Sequence, residues 1–337
     1  MKKLIIQIPC LNEAATLPAT LADLPRAIPG IDAIEVLVID DGSKDGTSEV
    51  ARACGVDYIV RLRRNKGLAA AFQAGVDACL KAGADIIVNT DADNQYGGHE
   101  IPRLIEPLLR GEADICIGDR NIAELEHMSW RKRQLQRLGS WVVRQVSSTS
   151  VPDTTSGFRA YTREAALRMT IVSEFSYTLE SIIQAGKKRM AIAHVPIATN
   201  PRTRESRLFD SIFSYIKRSS ATIVRIYAMY EPLKVFTYIG LTLFAAGFLI
   251  SLRFLYYYAT SFTGGGRYLQ SLIYAAVLMI VGFQVVLIGL LADVISANRK
   301  LLEDLLYRVR SLEVPSRDAE TPEGALTSSD RPSRWEH

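Results

Sequence analysis

Short apolar runs alternate with amphipathic stretches through the first 120 residues, and each run stops at a polar cluster. Leu4–Ile8 leads into Pro9-Cys10-Leu11-Asn12-Glu13, Ile34–Ile39 into Asp40-Asp41-Gly42-Ser43, and Asp85–Asn89 into Thr90-Asp91-Ala92-Asp93. A fourth run, Ala113–Gly118, leads into Asp119-Arg120. Continuous apolar runs of this length predict strands buried on both faces. Helical spacing covers Glu13–Leu24, about Gly46–Ala53, Lys66–Lys81 and Glu100–Arg110 between them. This alternation predicts an α/β domain on a doubly wound, mostly parallel sheet. Such sheets bind ligands beyond the carboxyl ends of their strands, so the polar clusters are expected to form one site.

The pattern changes after residue 207. Leu208–Tyr230 mixes Ile212, Phe213, Ile216, Ile223 and Tyr227 with Lys217, Arg218 and Arg225, which predicts amphipathic helices at a membrane surface. Leu233–Leu252 and Leu269–Leu291 are nearly free of charge and reach the roughly 20 residues that span a bilayer. The link between them carries Tyr256-Tyr257-Tyr258 and Gly264-Gly265-Gly266, an interfacial aromatic belt and a tight loop. Basic residues are denser on the other side: Arg202 to Lys234 before the first span, Arg299 and Lys300 after the second. The positive-inside rule then puts the first domain and both termini in the cytoplasm. The expected organisation is a cytosolic domain over 1–207, interfacial helices over 208–230, spans over 233–256 and 268–293, an amphipathic helix over 297–314 and a disordered tail over 315–337.

Composition narrows the classes. Apolar residues make up 48% of the chain and mean hydropathy is +0.09, an excess concentrated in the two long stretches. A net charge of +4 is too small to argue for nucleic acid. Cys10, Cys54, Cys79 and Cys116 form no CxxC pair and are read as reduced core residues. Four scattered histidines make a zinc site improbable. Leu4–Ile8 is too short for a signal peptide.

Two carboxylates two residues apart, Asp91 and Asp93, just past a buried strand, suit a divalent cation with oxygen ligands, and Gln95 could add a carbonyl. Asp40-Asp41-Gly42-Ser43 suits hydrogen bonding to a base or ribose, and equally an Asx turn capping the next helix. Asn12-Glu13 reads as a helix N-cap as readily as a ligand contact.

The set Pro9–Glu13, Asp40–Ser43 and Asp91–Asp93, in that order and spacing, resembles the family 2 glycosyltransferases of GT-A fold, whose members carry P-x-x-N-E, D-D-G-S and D-x-D motifs. The likeness covers about residues 3–230. With two C-terminal spans it is similar to the polyprenyl-phosphate glycosyltransferases, the group of the dolichol-phosphate mannose synthases. The resemblance implies that Pro9, Leu11, Asn12, Glu13, Asp40, Asp91, Ala92, Asp93 and Arg120 bind the nucleotide-sugar, and that Asp91, Asp93 and Gln95 hold Mg2+ or Mn2+. Asp153-Thr154-Thr155-Ser156-Gly157-Phe158-Arg159 resembles a D-x-x-x-G-F-R segment near the reacting centre, with Asp153 its candidate catalytic or acceptor-orienting carboxylate. Arg133 or Arg137 stands where the group has an acceptor-phosphate arginine. Arg202 and Arg207 lie in a segment similar to its basic juxtamembrane loop, where Arg204 replaces a glycine. Arginine forks suit phosphate oxygens.

The implied activity is inverting, metal-dependent transfer of a sugar from a nucleotide diphosphate to a polyprenyl phosphate at a membrane, with Asp153, Asp93, Arg202 and Arg207 as catalytic candidates. Three readings compete with it: a glycan or protein acceptor, a non-catalytic membrane scaffold, and a processive synthase, for which Gln134–Leu138 lacks the tryptophan of Q-x-x-R-W. The pattern names neither the sugar nor the base, and it leaves room for a homo-oligomer.

Overall fold

A computed structural model describes residues 1–120, 147, 149, 151–172, 177–200, 225, 228, 230–260 and 269–314. The chain divides into two units, residues 1–223 with 306–337, and residues 224–305.

The first unit is built on a sheet of seven strands among the described residues: β1 (Lys3–Cys10), β2 (Ala33–Asp40), β3 (Tyr58–Arg61), β4 (Ile86–Asn89), β5 (Ile115–Asp119), β6 (Arg159–Thr162) and β7 (Ile192–Pro196). Their order is β3-β2-β1-β4-β6-β5-β7. β1 pairs in parallel with β2 and β4, β2 with β3, and β5 with β7, while β6 runs antiparallel to both β4 and β5. The expected mostly parallel sheet is thus present, with one reversed strand inserted among the described ones. Leu4, Ile6, Ile8, Val38 and Val88 are fully buried, and so are Ile5, Ile39 and Ile87 on alternate positions. Burial of both sets explains why these strands are apolar without interruption.

Helices α1 (Leu17–Asp23), α2 (Thr47–Ala53), α3 (Leu68–Lys81), α4 (Ile101–Leu109), α5 (Arg163–Arg168) and α6 (Tyr177–Lys187) complete the unit. Two start later than their spacing predicts, each for a local reason. α1 waits until Leu17 because Asn12 adopts a left-handed φ of 56°, and the Glu13 carbonyl closes a turn onto the amides of Thr16 and Leu17. Asn12 is therefore not an N-cap. α3 waits until Leu68 because the Asp41 carboxylate accepts the amides of Lys66 and Gly67 at 2.7 and 2.9 Å. Cys10, Cys79 and Cys116 are buried as expected, but Cys54 is exposed, because it falls on the C-cap of α2 rather than on its core face.

Gly42 is a backbone requirement. Its φ is +75°, and a Cβ there would lie 2.7 Å from the carbonyl carbon of Arg64 and the amide nitrogen of Asn65. A left-handed conformation alone costs a side chain of order 1–3 kcal/mol, and backbone cannot move aside as a side chain does. Gly42→Ala is expected to lower the thermal midpoint by several degrees; an unchanged midpoint would show that the 64–65 segment yields freely.

The second unit holds most of two long helices, α7 (Pro232–Thr260) and α8 (Leu269–Glu313). Their apolar windows have mean hydropathies of 2.0 and 2.6 and only 11% and 17% of each is buried. Core helices of soluble proteins are mostly buried, so these two exposed apolar helices are candidate membrane spans. Small residues bring the helices together: a Cβ on Gly240 would meet the Gly282 carbonyl oxygen at 2.6 Å, and one on Gly247 the Ala275 oxygen at 2.7 Å. α8 continues unbroken through 294–296, where the pattern suggested a break between the second span and a separate helix. It does so because no glycine or proline interrupts Leu290–Val314. Residues 208–223 and the tail from 315 onward lie outside the described residues.

Candidate active site at the strand ends

Parallel pairing brings the carboxyl ends of β1, β2 and β4 to one edge of the sheet. β6, being reversed, starts at that edge: Arg159 is in register with Asn89 of β4 and Ile117 of β5. The segment leading into β6 therefore joins the strand-end clusters, and this is how Asp153 reaches Arg120.

The nucleotide-side candidates are held by a lattice of short-range bonds. The Asn12 amide donates to Ser43 Oγ at 2.9 Å, the Glu13 amide to Thr47 Oγ1 at 3.0 Å, and the Lys44 amide to Asn12 Oδ1 at 2.9 Å. These bonds stitch Pro9–Glu13 to the Asp40–Thr47 turn. Asp40 itself is fully buried; one oxygen accepts the Ser43 amide at 2.7 Å and the other the Ser48 hydroxyl. It braces the turn from within, with Arg61 Nε 3.7 Å from its Oδ2. Pro9 is buried in β1, and Leu11, 37% exposed, is an apolar residue at the edge.

Asp91 and Asp93 are half-buried beside one another, and Ala92 between them is buried, its carbonyl accepting the Thr20 hydroxyl at 2.9 Å. The Gln95 amide donates to Asp93 Oδ1 at 3.1 Å, and the Gln95 carbonyl accepts the Asn200 amide at 2.9 Å, which leaves the Gln95 side-chain oxygen as its free ligand group. Burial and the neighbouring Asp93 carboxylate push the Asp91 carboxyl up to about 7, against the pull of Arg120. Two carboxylates whose burial and mutual repulsion outweigh the nearby Arg120 and Arg159 have the electrostatics of a cation site. Among the described residues no group of three or more His, Cys, Asp or Glu side chains converges on a metal-sized site. The protein thus offers two carboxylates and an amide, a set that fits a cation sharing its shell with phosphate and water.

Asp153 is 1% exposed and receives Arg120 through two contacts, Nε at 2.7 Å and Nη2 at 3.0 Å. Its Oδ1 also accepts the amides of Thr155 and Ser156 and the Thr155 hydroxyl at 3.0–3.1 Å. Burial alone would raise its pKa; the Arg120 guanidinium and the Thr155 hydrogen bonds together outweigh it and hold the carboxyl below the usual range. The ion pair therefore contributes stability that is complete above the unfolded carboxyl's pKa near 3.9 and is lost only as pH falls through the depressed folded value. Placed so, Asp153 orients Arg120.

Several residues that the motifs did not single out complete the site. The Gln7 amide donates to Asn89 Oδ1 at 3.0 Å, and the Asn89 amide donates to the Gly157 carbonyl and to the Tyr177 hydroxyl, both at 2.9 Å. This buried row runs through the sheet and ends against Asp91: a Cβ on Gly157 would lie 3.1 Å from both Asp91 oxygens. Tyr96 stacks on Phe158 at 5.1 Å and receives the Gly157 amide at its hydroxyl, 3.3 Å away. Two buried polar residues in otherwise apolar strands, Gln7 in the middle of β1 and Asn89 at the end of β4, were the sequence signal for this row. Arg133, Arg137, Arg202 and Arg207 lie outside the described residues.

A mixed α/β sheet with carboxylates at the strand ends, followed by bilayer-length helices, defines a class: a membrane-bound enzyme of GT-A fold. Residues 5–169 match the family model described as glycosyl transferase family 2. A polyprenol monophosphomannose synthase of Mycolicibacterium smegmatis is 27% identical over 212 residues, 60% of this chain and 78% of that one. An uncharacterized glycosyltransferase of Mycobacterium tuberculosis is 32% identical over 199 residues, 59% of this chain and 85% of that one. Among solved structures, glucosyl-3-phosphoglycerate synthase of M. tuberculosis with Mn2+, UDP-glucose and phosphoglyceric acid superposes with a TM-score of 0.52 at 21% identity, covering 67% of this chain and 79% of that one, a likeness of fold. The chain belongs to glycosyl transferase family 2 and is a glycosyltransferase.

Proposed function

We propose that this enzyme transfers a sugar from a nucleoside-diphosphate donor to a polyprenyl phosphate, with inversion, its catalytic domain and both termini in the cytoplasm. The observation that carries the reading is the presence, in one chain, of a family 2 strand-end site and two helices of bilayer length. The name of the mannose synthase relative supports the same acceptor class.

In this reading the stitched Pro9–Glu13 and Asp40–Ser43 segments hold the nucleotide. Asp91, Asp93 and Gln95 would hold Mg2+ or Mn2+, which supplies charge neutralisation for the departing diphosphate. Arg120, fixed by Asp153 and Thr155, adds an oriented positive charge at the same edge. A phosphate monoester is largely anionic at neutral pH, its second pKa being about 6, so the acceptor needs no strong general base. That agrees with an Asp153 carboxyl tied to Arg120 instead of poised to take a proton. Transfer then depends on positioning and on charge stabilisation.

The acceptor phosphate is assigned to Arg133 or Arg137 together with Arg202 and Arg207. A charge-assisted hydrogen bond is worth roughly 1.5–3 kcal/mol. Arg202→Ala and Arg207→Ala are each expected to lower transfer about ten- to a hundredfold, with lysine rescuing in part because it lacks the planar fork. Membrane flotation should be unchanged. Wild-type transfer by both variants would remove the loop from the acceptor site.

The deciding assay is release of nucleoside diphosphate by the full-length protein in vesicles, over a panel of nucleotide-sugars, with and without polyprenyl phosphate. Release that requires both the lipid phosphate and a divalent cation is expected. Equal turnover onto a soluble glycan or a protein would replace the lipid acceptor. A Gly265→Cys variant should label from the extracytoplasmic side; labelling only from the cytoplasm would reverse the topology.

A further inference from the structure

α8 is too long for the bilayer alone. Its 45 residues rise about 67 Å at 1.5 Å each, against a hydrocarbon core of about 30 Å. Beyond Asp293, Arg299 and Lys300 it again becomes apolar on one side, and that side is bare: Leu301 and Leu302 are each 65% exposed, Leu305 56%, Val309 49% and Leu312 85%. Its covered side is polar. Arg299 pairs with Glu303 at 2.8 Å. Tyr307 donates to Glu164 at 3.0 Å, and Arg310 meets Asp77 at 3.1 Å and the Met169 carbonyl at 2.7 Å. An amphipathic helix ordinarily turns its apolar stripe inward; here the stripe is exposed along its length.

We propose that this stripe is the seam of a parallel coiled coil with a second copy of the chain. Leu302, Leu305, Val309 and Leu312 are spaced three, four and three apart, the a and d positions of a heptad. Leucine at both d positions and valine at one a position suit two strands, and Leu301 and Leu306 widen the seam at the flanks. Charge fits the same phase. Arg308 falls at g and Glu313 at the following e, the two positions that face each other between parallel strands. Membrane insertion imposes that direction, since copies inserted alike present α8 parallel. Lipid is a poor occupant: Leu302 lies 33 residues along α8 from Leu269, about 50 Å away. The tail is a poor occupant too, because residues 315–337 hold only Leu326 and Trp335 as large apolar side chains, with no heptad spacing. The inference rests on α8 crossing the membrane and not on the identity of the acceptor.

The test is oxidative cross-linking of the full-length protein in its membranes, in a Cys54→Ser background that removes the exposed thiol. Leu305→Cys and Leu312→Cys, at d, are expected to give a band at twice the 37.3 kDa protomer, while Asp304→Cys and Ser311→Cys, on the flank, stay monomeric. Arg308→Glu and Glu313→Arg should each weaken the Leu312→Cys cross-link, and the two together should restore it. A stop after Val314 should leave the pattern unchanged. Equal cross-linking at all four positions, none at any, or cross-linking that appears only after the tail is removed would overturn the seam, the last result identifying the tail as its occupant.

Discussion

Asp91→Asn and Asp93→Asn should each reduce sugar transfer by two to three orders of magnitude while leaving the protein folded. Each substitution keeps the side-chain volume and removes one negative charge from a pair that the fold holds together at the end of β4. The folded chain gains nothing from that proximity: burial and mutual repulsion push the Asp91 carboxyl up to about 7. Removing one charge relieves the repulsion, so stability should hold or rise slightly. Catalysis should fall, because removing one group that stabilises developing charge typically costs about 10²–10³ in rate. The two effects have opposite signs, which makes the experiment sharp. Transfer activity, Mn2+ binding followed by electron paramagnetic resonance, and the unfolding midpoint would be measured on the same preparations. Retention of most cation-dependent activity by either variant would place the site elsewhere.

Arg159→Met should strongly destabilise the first unit. Arg159 is completely buried and its guanidinium ties the segment before β6 to α6. Nε donates to the Ser156 carbonyl at 2.7 Å, Nη2 to the Thr154 carbonyl at 3.0 Å, and Nη1 to the Thr178 carbonyl and the Ser181 hydroxyl at 2.8 and 2.6 Å. Methionine fills much of the volume and satisfies none of the acceptors. Each buried acceptor left unpaired costs about 1–3 kcal/mol, so a total of roughly 3–5 kcal/mol is expected, a large share of the 5–15 kcal/mol that holds a typical domain together. The readout is the urea midpoint followed by circular dichroism. Transfer should fall along with it, since the segment that Arg159 anchors carries Asp153, and Asp153 holds Arg120. An unchanged midpoint would show that water replaces the guanidinium and that the segment stands without it.

Arg159 also marks where pattern reading stops. As the last residue of D-x-x-x-G-F-R it belonged to a recognised segment, yet nothing in its spacing distinguished a ligand-binding arginine from one spent inside the protein. The structure commits it to backbone acceptors from both ends of a turn and from α6. Asp40 has the same history. It stands in D-D-G-S, which suits a nucleotide, and its oxygens accept from Ser43 of the turn and from Ser48 of α2. A carboxylate near a ligand and a carboxylate that builds the ligand's cradle look alike in one dimension, because both occur at a strand end followed by glycine and serine.

The apolar runs that became β1, β2, β4 and β5, and the clusters that follow them, were legible because buried parallel strands must be continuously apolar and because their polar ends must lie on one edge. The two long apolar stretches were legible for a simpler reason: span length is set by bilayer thickness. Sequence alone therefore determined the class of fold, the edge that carries the site and the membrane helices. Tertiary structure decided the rest. β6 spans only Arg159–Thr162, too short for a periodic signal, and its reversed direction comes from pairing with β4 and β5; that reversal delivers Asp153 to Arg120 and Gly157 to Asp91. α8 read as two elements because charge interrupts its hydropathy, whereas helix continuity depends on backbone hydrogen bonding, which charged side chains do not break. Which groups face a ligand and which face each other depends on contacts between residues far apart in the chain, and those exist only once the sheet has assembled.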